Sequence, residues 1–365
     1  MIAMPFFPVI ELRGAPYEMG VVHGRTLTRE IKGNAATYTR LIGDFTGLDG
    51  DKVLELAGGF VPRIKDAAPA VLEEMEGIAQ GSGVPLGAVL VLNARTELMF
   101  PSQLGRECTA VGLRPERTCS GAPIIAQNWD WKPELKFGSA LFRREPKQGA
   151  GSLVFCEAGQ VCKIGLNEHG LGVLLNILIT EDVQPGIPVH VLLRMVLDCR
   201  DVLEAAALVK RAVRASSSHF LLGDESGRIL GLELSPAAVC EIAPESGAVV
   251  HTNHFCDPDF ADRDRGPSVI PDSQTRLRRA REVLAGEEKW DVNDLKSLLT
   301  DHQHGPSSIC RHVNPADPEP GRMETVGSFI LDLSGRRLLA TYGQPCQNPY
   351  QEVALDSPAL RAAQV

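Results

Sequence analysis

The chemistry this sequence offers begins at Cys108, in the stretch Gly105-Arg106-Glu107-Cys108-Thr109-Ala110. A cysteine thiolate attacks carbonyl carbon well, but with an ordinary pKa of about 8.5 a thiol is mostly protonated at neutral pH. A free α-amino group on the same residue, with a pKa of about 7.7–8.0, would accept that proton. Cys108 gains such an amine only if the Glu107–Cys108 bond is cut. The route is self-cleavage: the thiol attacks the Glu107 carbonyl, the acyl group passes from nitrogen to sulfur, and water hydrolyses the thioester.

The second group is Asp130, at the end of Ala126-Gln127-Asn128-Trp129-Asp130-Trp131. A carboxylate beside an ammonium–thiolate pair holds the amine and stabilises its charge; Asn128 and Asp130 are equally at home in a turn after a strand. The third is Asn176. It follows the turn-forming run Asn167-Glu168-His169-Gly170, and its side-chain N–H could donate to a tetrahedral oxyanion.

Asn93-Ala94-Arg95-Thr96-Glu97, then Cys108-Thr109, then Gln127-Asn128-Trp129-Asp130, in this order and spacing, resemble the acyl-coenzyme A:isopenicillin N acyltransferase family of N-terminal-nucleophile amidohydrolases. The resemblance runs from Tyr17 to about Cys346, and the choloylglycine hydrolases are similar more distantly. It implies self-cleavage between Glu107 and Cys108 and an orienting role for Asp130. It also implies an oxyanion role for Asn176, and an oxyanion or amine-orienting role for Asn253 in Val250-His251-Thr252-Asn253-His254-Phe255. Arg311, delivered by the Ser307-Ser308 turn, would lower the thiol pKa or neutralise the developing anion. The pattern departs from the family at Glu107, where the fungal founders have Gly, and at Gln127, where the bile-acid enzymes have Arg.

His251 and His254 invite a metal, but three residues apart at a strand end they would point to different faces, so no metal is expected. Tyr17, Gly20, His23 and Gly24 form a Y-x-x-G-x-x-H-G pattern that reads as a packed helix face. His302-Gln303-His304 reads as a solvated loop.

These groups need a scaffold, and 365 residues with 44% hydrophobic and 23% charged content supply ample core for a soluble protein. A net charge of −9 without a basic cluster argues against nucleic acid or an anionic membrane as partner. No apolar run reaches the roughly 20 residues that span a bilayer. Met1–Ile10 lacks the marks of a signal peptide. The nine cysteines fall without paired spacing, so a reducing cytoplasm is expected. No P-loop or Rossmann fingerprint is present, and no cofactor is expected.

Apolar periodicity predicts a short opening strand, then helices over 17–45, 66–80 and 86–100. Strands follow at 108–113, 123–129, 139–144, 151–157, 160–166 and 171–178. Two helices fill 187–213, broken near Cys199. Strands return at 218–223, 228–234, 238–243 and 247–252, helices at 273–285 and 291–300, and strands at 326–333 and 336–342. Residues 258–269, 315–322 and the tail after Tyr350 read as disordered. The fold expected is α+β, a four-layer αββα sandwich. Residues 1–107 would form a helical α chain and 108–365 a catalytic β chain, both from one precursor and packed as one domain. A homo-oligomer is compatible with this sequence.

The function expected is cleavage of linear amide C–N bonds of a small N-acyl substrate through a Cys108 acyl-enzyme. The alternatives are transfer of the acyl group from a thioester or amide to an amine, and a non-catalytic binding protein on the same fold. A papain-like thiol enzyme is a poorer match, because Cys108 lacks the Gln- and Gly-rich lead-in to a helix.

Overall fold

The computed structural model describes residues 6–99, 107–286, 288–317 and 322–355. The chain opens with strand β1 (Val9–Gly14) and then seven helices: α1 (Pro16–Thr26), α2 (Thr28–Thr46), α3 (Gly50–Gly58), α4 (Val61–Ala67), α5 (Pro69–Ser82), α6 (Leu86–Asn93) and α7 (Arg95–Leu98). Six strands follow, β2 (Glu107–Leu113), β3 (Ile124–Trp131), β4 (Ser139–Pro146), β5 (Ser152–Glu157), β6 (Ile164–Asn167) and β7 (Gly172–Ile177). Helices α8 (Val189–Val196) and α9 (Val202–Arg211) lead to β8 (Ser218–Gly223), β9 (Ile229–Leu234), β10 (Val239–Ile242) and β11 (Ala248–His251). Helices α10 (Gly266–Val269), α11 (Ser273–Val283) and α12 (Val292–Leu299) precede β12 (Glu324–Asp332), β13 (Arg337–Tyr342) and β14 (Tyr350–Ala354).

The strands form two sheets. One runs β1-β4-β5-β6-β7-β8-β9-β10, the other β11-β2-β3-β12-β13-β14. Each is antiparallel except where β1 lies parallel to β4. Side chains alternate faces along a strand, and both sheets turn an apolar face inward. Trp129 of β3, Phe155 of β5 and Phe329 of β12 meet in the space between them. The outer face of the six-stranded sheet carries Val111, Leu113, Ile124 and Ala126, which pack on Leu277, Ala280, Leu295 and Leu298 of α11 and α12. The N-terminal helices with α8 and α9 cover the eight-stranded sheet. The result is the expected αββα order.

Several boundaries differ from the periodicity reading. The 17–45 helix is two, parted at Leu27, whose backbone leaves helical geometry. Residues 50–67 add two helices of nine and seven residues, too short to stand out by periodicity. The strand expected at 160–166 begins only at Ile164, because Gln160 and Val161 bond to Leu92 and Asn93 of α6 rather than to a strand. The segment 258–269 is ordered, with a 3-10 turn at Pro258–Phe260 and α10. The tail after Tyr350 supplies β14, paired with β13. Part of 315–322, and Gly105 and Arg106, lie outside the described residues.

The Y-x-x-G-x-x-H-G pattern is a packing device. Helices α1 and α5 meet backbone to backbone. A Cβ at Gly20 would lie 2.1 Å from the Glu74 carbonyl oxygen, and one at Gly77 would lie 2.2 Å from that of Tyr17. Gly24 and Gly81 are equally tight against Ile78 and Val21. His23 is buried and neutral, pushed down to about 3 by burial and the Arg144 charge, and its Nε2 accepts from Gly159 N–H at 3.0 Å. Gly20→Ala should therefore cost about 1–3 kcal/mol by overpacking. Gly33→Ala, at a helical glycine with nothing within 4 Å of its added methyl, should instead gain up to about 1 kcal/mol. Thermal melts of the two variants check the contrast.

Candidate active site

β2 lies between β11 and β3, but β11 ends at His251, opposite Ala110. Beyond that point the outer edge of β2 has no strand neighbour among the described residues, and Cys108 sits there. Its backbone groups must find other partners. The Cys108 N–H donates to Asn253 Oδ1 at 2.8 Å, and its carbonyl accepts from Arg276 Nη1 at 2.7 Å. Arg276 also donates to Thr109 Oγ1 at 3.1 Å and to Asn253 Oδ1 at 3.1 Å. Two donors on Oδ1 fix the Asn253 amide, whose Nδ2 reaches across to the Ile177 carbonyl on β7 at 3.1 Å. Ser273 Oγ accepts from the Asn253 N–H at 2.7 Å and holds its backbone.

Cys108 pairs with Trp129 on β3, so its side chain shares Trp129's inward face. The thiol is 2% exposed. Burial raises its pKa to about 11, and the Asp130 charge adds to the rise. The cations of Lys163 and Arg276 and the Asp130 backbone N–H pull the other way. Lys163 is itself buried, its Nζ 4.4 Å from the Trp129 ring centroid. The thiol is thus protonated at neutral pH.

Asp130 pairs with Glu107 in the ladder, and alternation turns its carboxylate to the opposite face from the thiol. The carboxylate and the thiol, expected to face one another, are divided by the sheet; what Asp130 offers the sulfur is its backbone N–H. Its Oδ1 accepts from Thr325 Oγ1 at 2.7 Å, and its Oδ2 is buried with no partner among the described residues. Burial raises its pKa; the Arg276 and Arg311 charges and the Thr325 hydroxyl oppose the rise. Arg311 pairs with Asp272, which also binds Arg276 at 3.2 Å. Arg311, Asp272, Arg276 and Asp130 thus form one buried charge network on the helix side of β2.

Asn176 faces the inter-sheet space. Its Oδ1 lies 2.9 Å from His219 Nδ1, and its Nδ2 is buried with no partner among the described residues. His219 stacks on His251 at 3.6 Å, and His251 Nε2 lies 2.7 Å from Glu233 Oε1. His219 is held neutral by burial and by the His251 charge. Gln127 spans the sheets as well: its amide takes the Leu175 carbonyl at 2.5 Å and the Leu175 N–H at 3.3 Å. It stands in for a strand there, with an uncharged amide.

The structure therefore gathers Cys108, Asn253, Asp130 and Arg311 about the start of β2, with Asn176 one residue from Ile177. His254 turns away from His251 to Ser273 Oγ at 2.7 Å, so the two share no site. Asn93, Arg95 and Glu97 are structural: Arg95 pairs with buried Glu157 at 2.7 Å, and Glu97 accepts from Val189 N–H at 2.9 Å and Ser216 Oγ at 2.6 Å. Sequence reasoning missed Arg276, Asp272, Lys163 and Thr325, and also His219 and Glu233, which flank His251. A signal existed for Arg276. Ser273, Arg276, Leu277 and Ala280 share the buried face of α11 at helical spacing, and a charge on a core face needs a partner.

A model of the acyl-coenzyme A:6-aminopenicillanic acid acyl-transferase family matches residues 116–347, more than half of the chain. The chain belongs to this family. It is 29% identical over 349 residues, 93% of each chain, to the 40 kDa form of acyl-coenzyme A:6-aminopenicillanic-acid-acyltransferase from Emericella nidulans. It is 23% identical over 311 residues to an uncharacterized protein of Archaeoglobus fulgidus, covering 76% of this chain and 50% of that one. A variant of the conjugated bile acid hydrolase from Clostridium perfringens has the same fold, with a TM-score of 0.51 at 15% identity over 68% of this chain and 93% of that one. The fold of this family member is thus of the N-terminal-nucleophile hydrolase type, two sheets with an N-terminal helical segment. No described helix is long and apolar enough to cross a membrane.

The His251–Glu233 pair makes stability depend on pH. Burial opposes the His251 charge, but the Cys256 and Glu233 side chains outweigh it and raise its pKa from 6.5 to about 9. A pKa raised on folding adds stability that is full below 6.5 and lost as pH climbs through about 9. Glu233 shifts the other way, below its ordinary 4.5 despite burial, so its share is present above 4.5 and lost as pH falls. Urea denaturation should show a decline from pH 6.5 upward, and Glu233→Gln should flatten that decline.

Proposed function

We propose that this family member is a self-processing cysteine amidohydrolase acting on a small N-acyl substrate through an acyl-enzyme on Cys108. The observation that carries this reading is the grip on the Cys108 backbone where β11 has ended. Both its N–H and its C=O are held by side chains, Asn253 and Arg276, and not by a strand. A backbone nitrogen that is to become a free amine needs such an arrangement.

In processing, Cys108 Sγ bonds to the Glu107 carbonyl carbon, the C–N bond breaks, and the nitrogen takes the proton. Water then cleaves the thioester, leaving a Glu107 carboxylate and a free thiol. Removal of Glu107 from its place opposite Asp130 would leave the new amino group next to a strand whose Asp130 Oδ2 has no partner among the described residues. Asn253 Oδ1 keeps its hold on that nitrogen. The amine accepts the thiol proton, the thiolate attacks the substrate carbonyl, and Asn176 Nδ2 donates to the oxyanion. The ammonium then protonates the leaving amine, and water releases the acid. His219 acts on Asn176: by holding Oδ1 it turns Nδ2 toward the site. The two products of processing are the α chain, 1–107, and the β chain, 108–365.

Acyl transfer is the second reading, favoured by the Emericella nidulans relative, which is an acyltransferase by name. Hydrolysis is preferred here because transfer requires a bound acceptor and a dry thioester. No glycine-rich phosphate loop for coenzyme A is evident in the sequence.

Intact mass and N-terminal sequencing should find a chain beginning Cys-Thr-Ala-Val, while Cys108→Ala stays a single chain. Cutting of that variant at the same bond would assign the step to an external protease. Asn253→Ala and Arg311→Ala should fold and lose about 10²–10³ in turnover; a loss under about tenfold would remove that residue from the site. Products from a reactive N-acyl amide, with and without an added amine, should be mainly free acid. Acylated amine in excess would reverse the order of the two readings.

A further inference from the structure

His302, Cys310, His312 and Cys346 converge beside the site described above. Their four ligand atoms lie within 4.8 Å of one another. His302 Nε2 is 3.2 Å from His312 Nε2, Cys346 Sγ is 3.3 Å from His312 Nε2, Cys310 Sγ is 3.6 Å from Cys346 Sγ, and Cys310 Sγ is 3.9 Å from His312 Nε2. Zinc bonds of about 2.3 Å to sulfur and about 2.0–2.1 Å to nitrogen, at tetrahedral angles, separate ligands by about 3.3 Å (N–N), about 3.6 Å (S–N) and about 3.8 Å (S–S). Four of the six edges of that tetrahedron are matched to within about 0.3 Å, and the two from His302 to the sulfurs lie within 4.8 Å. Both cysteines are free thiols.

We propose that these four side chains form a structural zinc site of the Cys2His2 type. Zn²⁺ displaces one proton from each thiol, and two thiolates with two neutral imidazoles leave the site without net charge. That suits its position, with Cys310 buried and His302 and Cys346 exposed. Four protein ligands close the coordination sphere, so the ion would be structural and would offer no open position for substrate.

The site has a consequence for Arg311, which stands between two of the ligands. Its N–H donates to Thr325 Oγ1 at 2.9 Å, and that hydroxyl donates to Asp130. The loop carrying Arg311 is also held by Asp301, by Asn128 of β3 and by Asp272. The ion would tie it to the connection between β13 and β14, where Cys346 lies.

The test is the metal content of untagged full-length protein, by mass spectrometry after gel filtration under reducing conditions. One zinc per chain is expected in the wild type and in Cys108→Ala, which keeps the nucleophile out of the count. Cys346→Ser and His302→Ala should lose the metal; both positions are exposed, so the fold should survive. Apo protein reloaded with Co²⁺ should show the visible bands of tetrahedral cobalt and its thiolate charge-transfer band. Under native conditions a chelator should expose two further thiols to a thiol reagent. The proposal is overturned if wild type neither holds nor takes up zinc, if the two variants keep it in full, or if peptide mapping finds Cys310 and Cys346 joined as a disulfide. None of these outcomes depends on catalysis, so the site stands or falls apart from the proposed reaction.

Discussion

The side-chain amide of Asn253 touches both sheets beside Cys108. Its oxygen holds the Cys108 N–H on β2, and its nitrogen holds the Ile177 carbonyl on β7. Much of the site's geometry follows from that tie. It closes the open end of the sandwich, where β11 has stopped and the ladder no longer supplies partners. It fixes the distance between the strand with the thiol and the strand with Asn176. It also gives Arg276 an acceptor, and through Asp272 that guanidinium joins Arg311 to the same cluster. In a region this dry, an amide that lost one of its partners would leave a buried polar atom unsatisfied, which costs about 1–3 kcal/mol.

The sheet divides the electrostatics into two compartments. On the inner face the thiol meets Lys163 and aromatic rings, and burial keeps it protonated. On the outer face Asp130 meets Arg276, Arg311 and Thr325. The backbone of β2 and β3 is the wall between them. Under the proposed cleavage, a charge at the Cys108 nitrogen would be sensed on one side as a new partner for Asp130, and on the other as a new base for the thiol. The His251–Glu233 pair plays a quieter part deeper between the sheets, where its positive charge keeps His219 neutral beside Asn176.

Much of this was legible in the sequence. Alternation marked nearly all the strands, and the order of strands and helices implied two sheets between helical layers. Cys108, Asp130, Asn253 and Arg311 were singled out, and the structure brings them together. What escaped is long-range by nature. That Asp130 turns its carboxylate away from Cys108 depends on register, since one step along β3 reverses the face. Arg276 is hidden among Arg278, Arg279 and Arg281, and only the burial of its helix face separates it from surface charge. Cys310 and Cys346 are 36 residues apart, so spacing could not pair them with each other or with His302 and His312. The edge strand β14 lay in a tail whose composition resembles that of irregular chain.

Strand β1 comes from the N-terminal side of Cys108 and lies at the edge of a sheet otherwise built from the C-terminal side. Helices α1 to α7, sealed by the glycine seam and by buried pairs such as Arg95–Glu157, travel with it. Under the proposed cleavage, the two halves assemble while they are still one molecule, so their meeting is unimolecular and concentration-free. Once cut, they remain joined only by packing and hydrogen bonds. Unfolding then releases two molecules that would have to find one another again. The protein would thus fold once along a path that it erases, and its endurance afterwards would be set by how slowly it comes apart rather than by an equilibrium to which it can return.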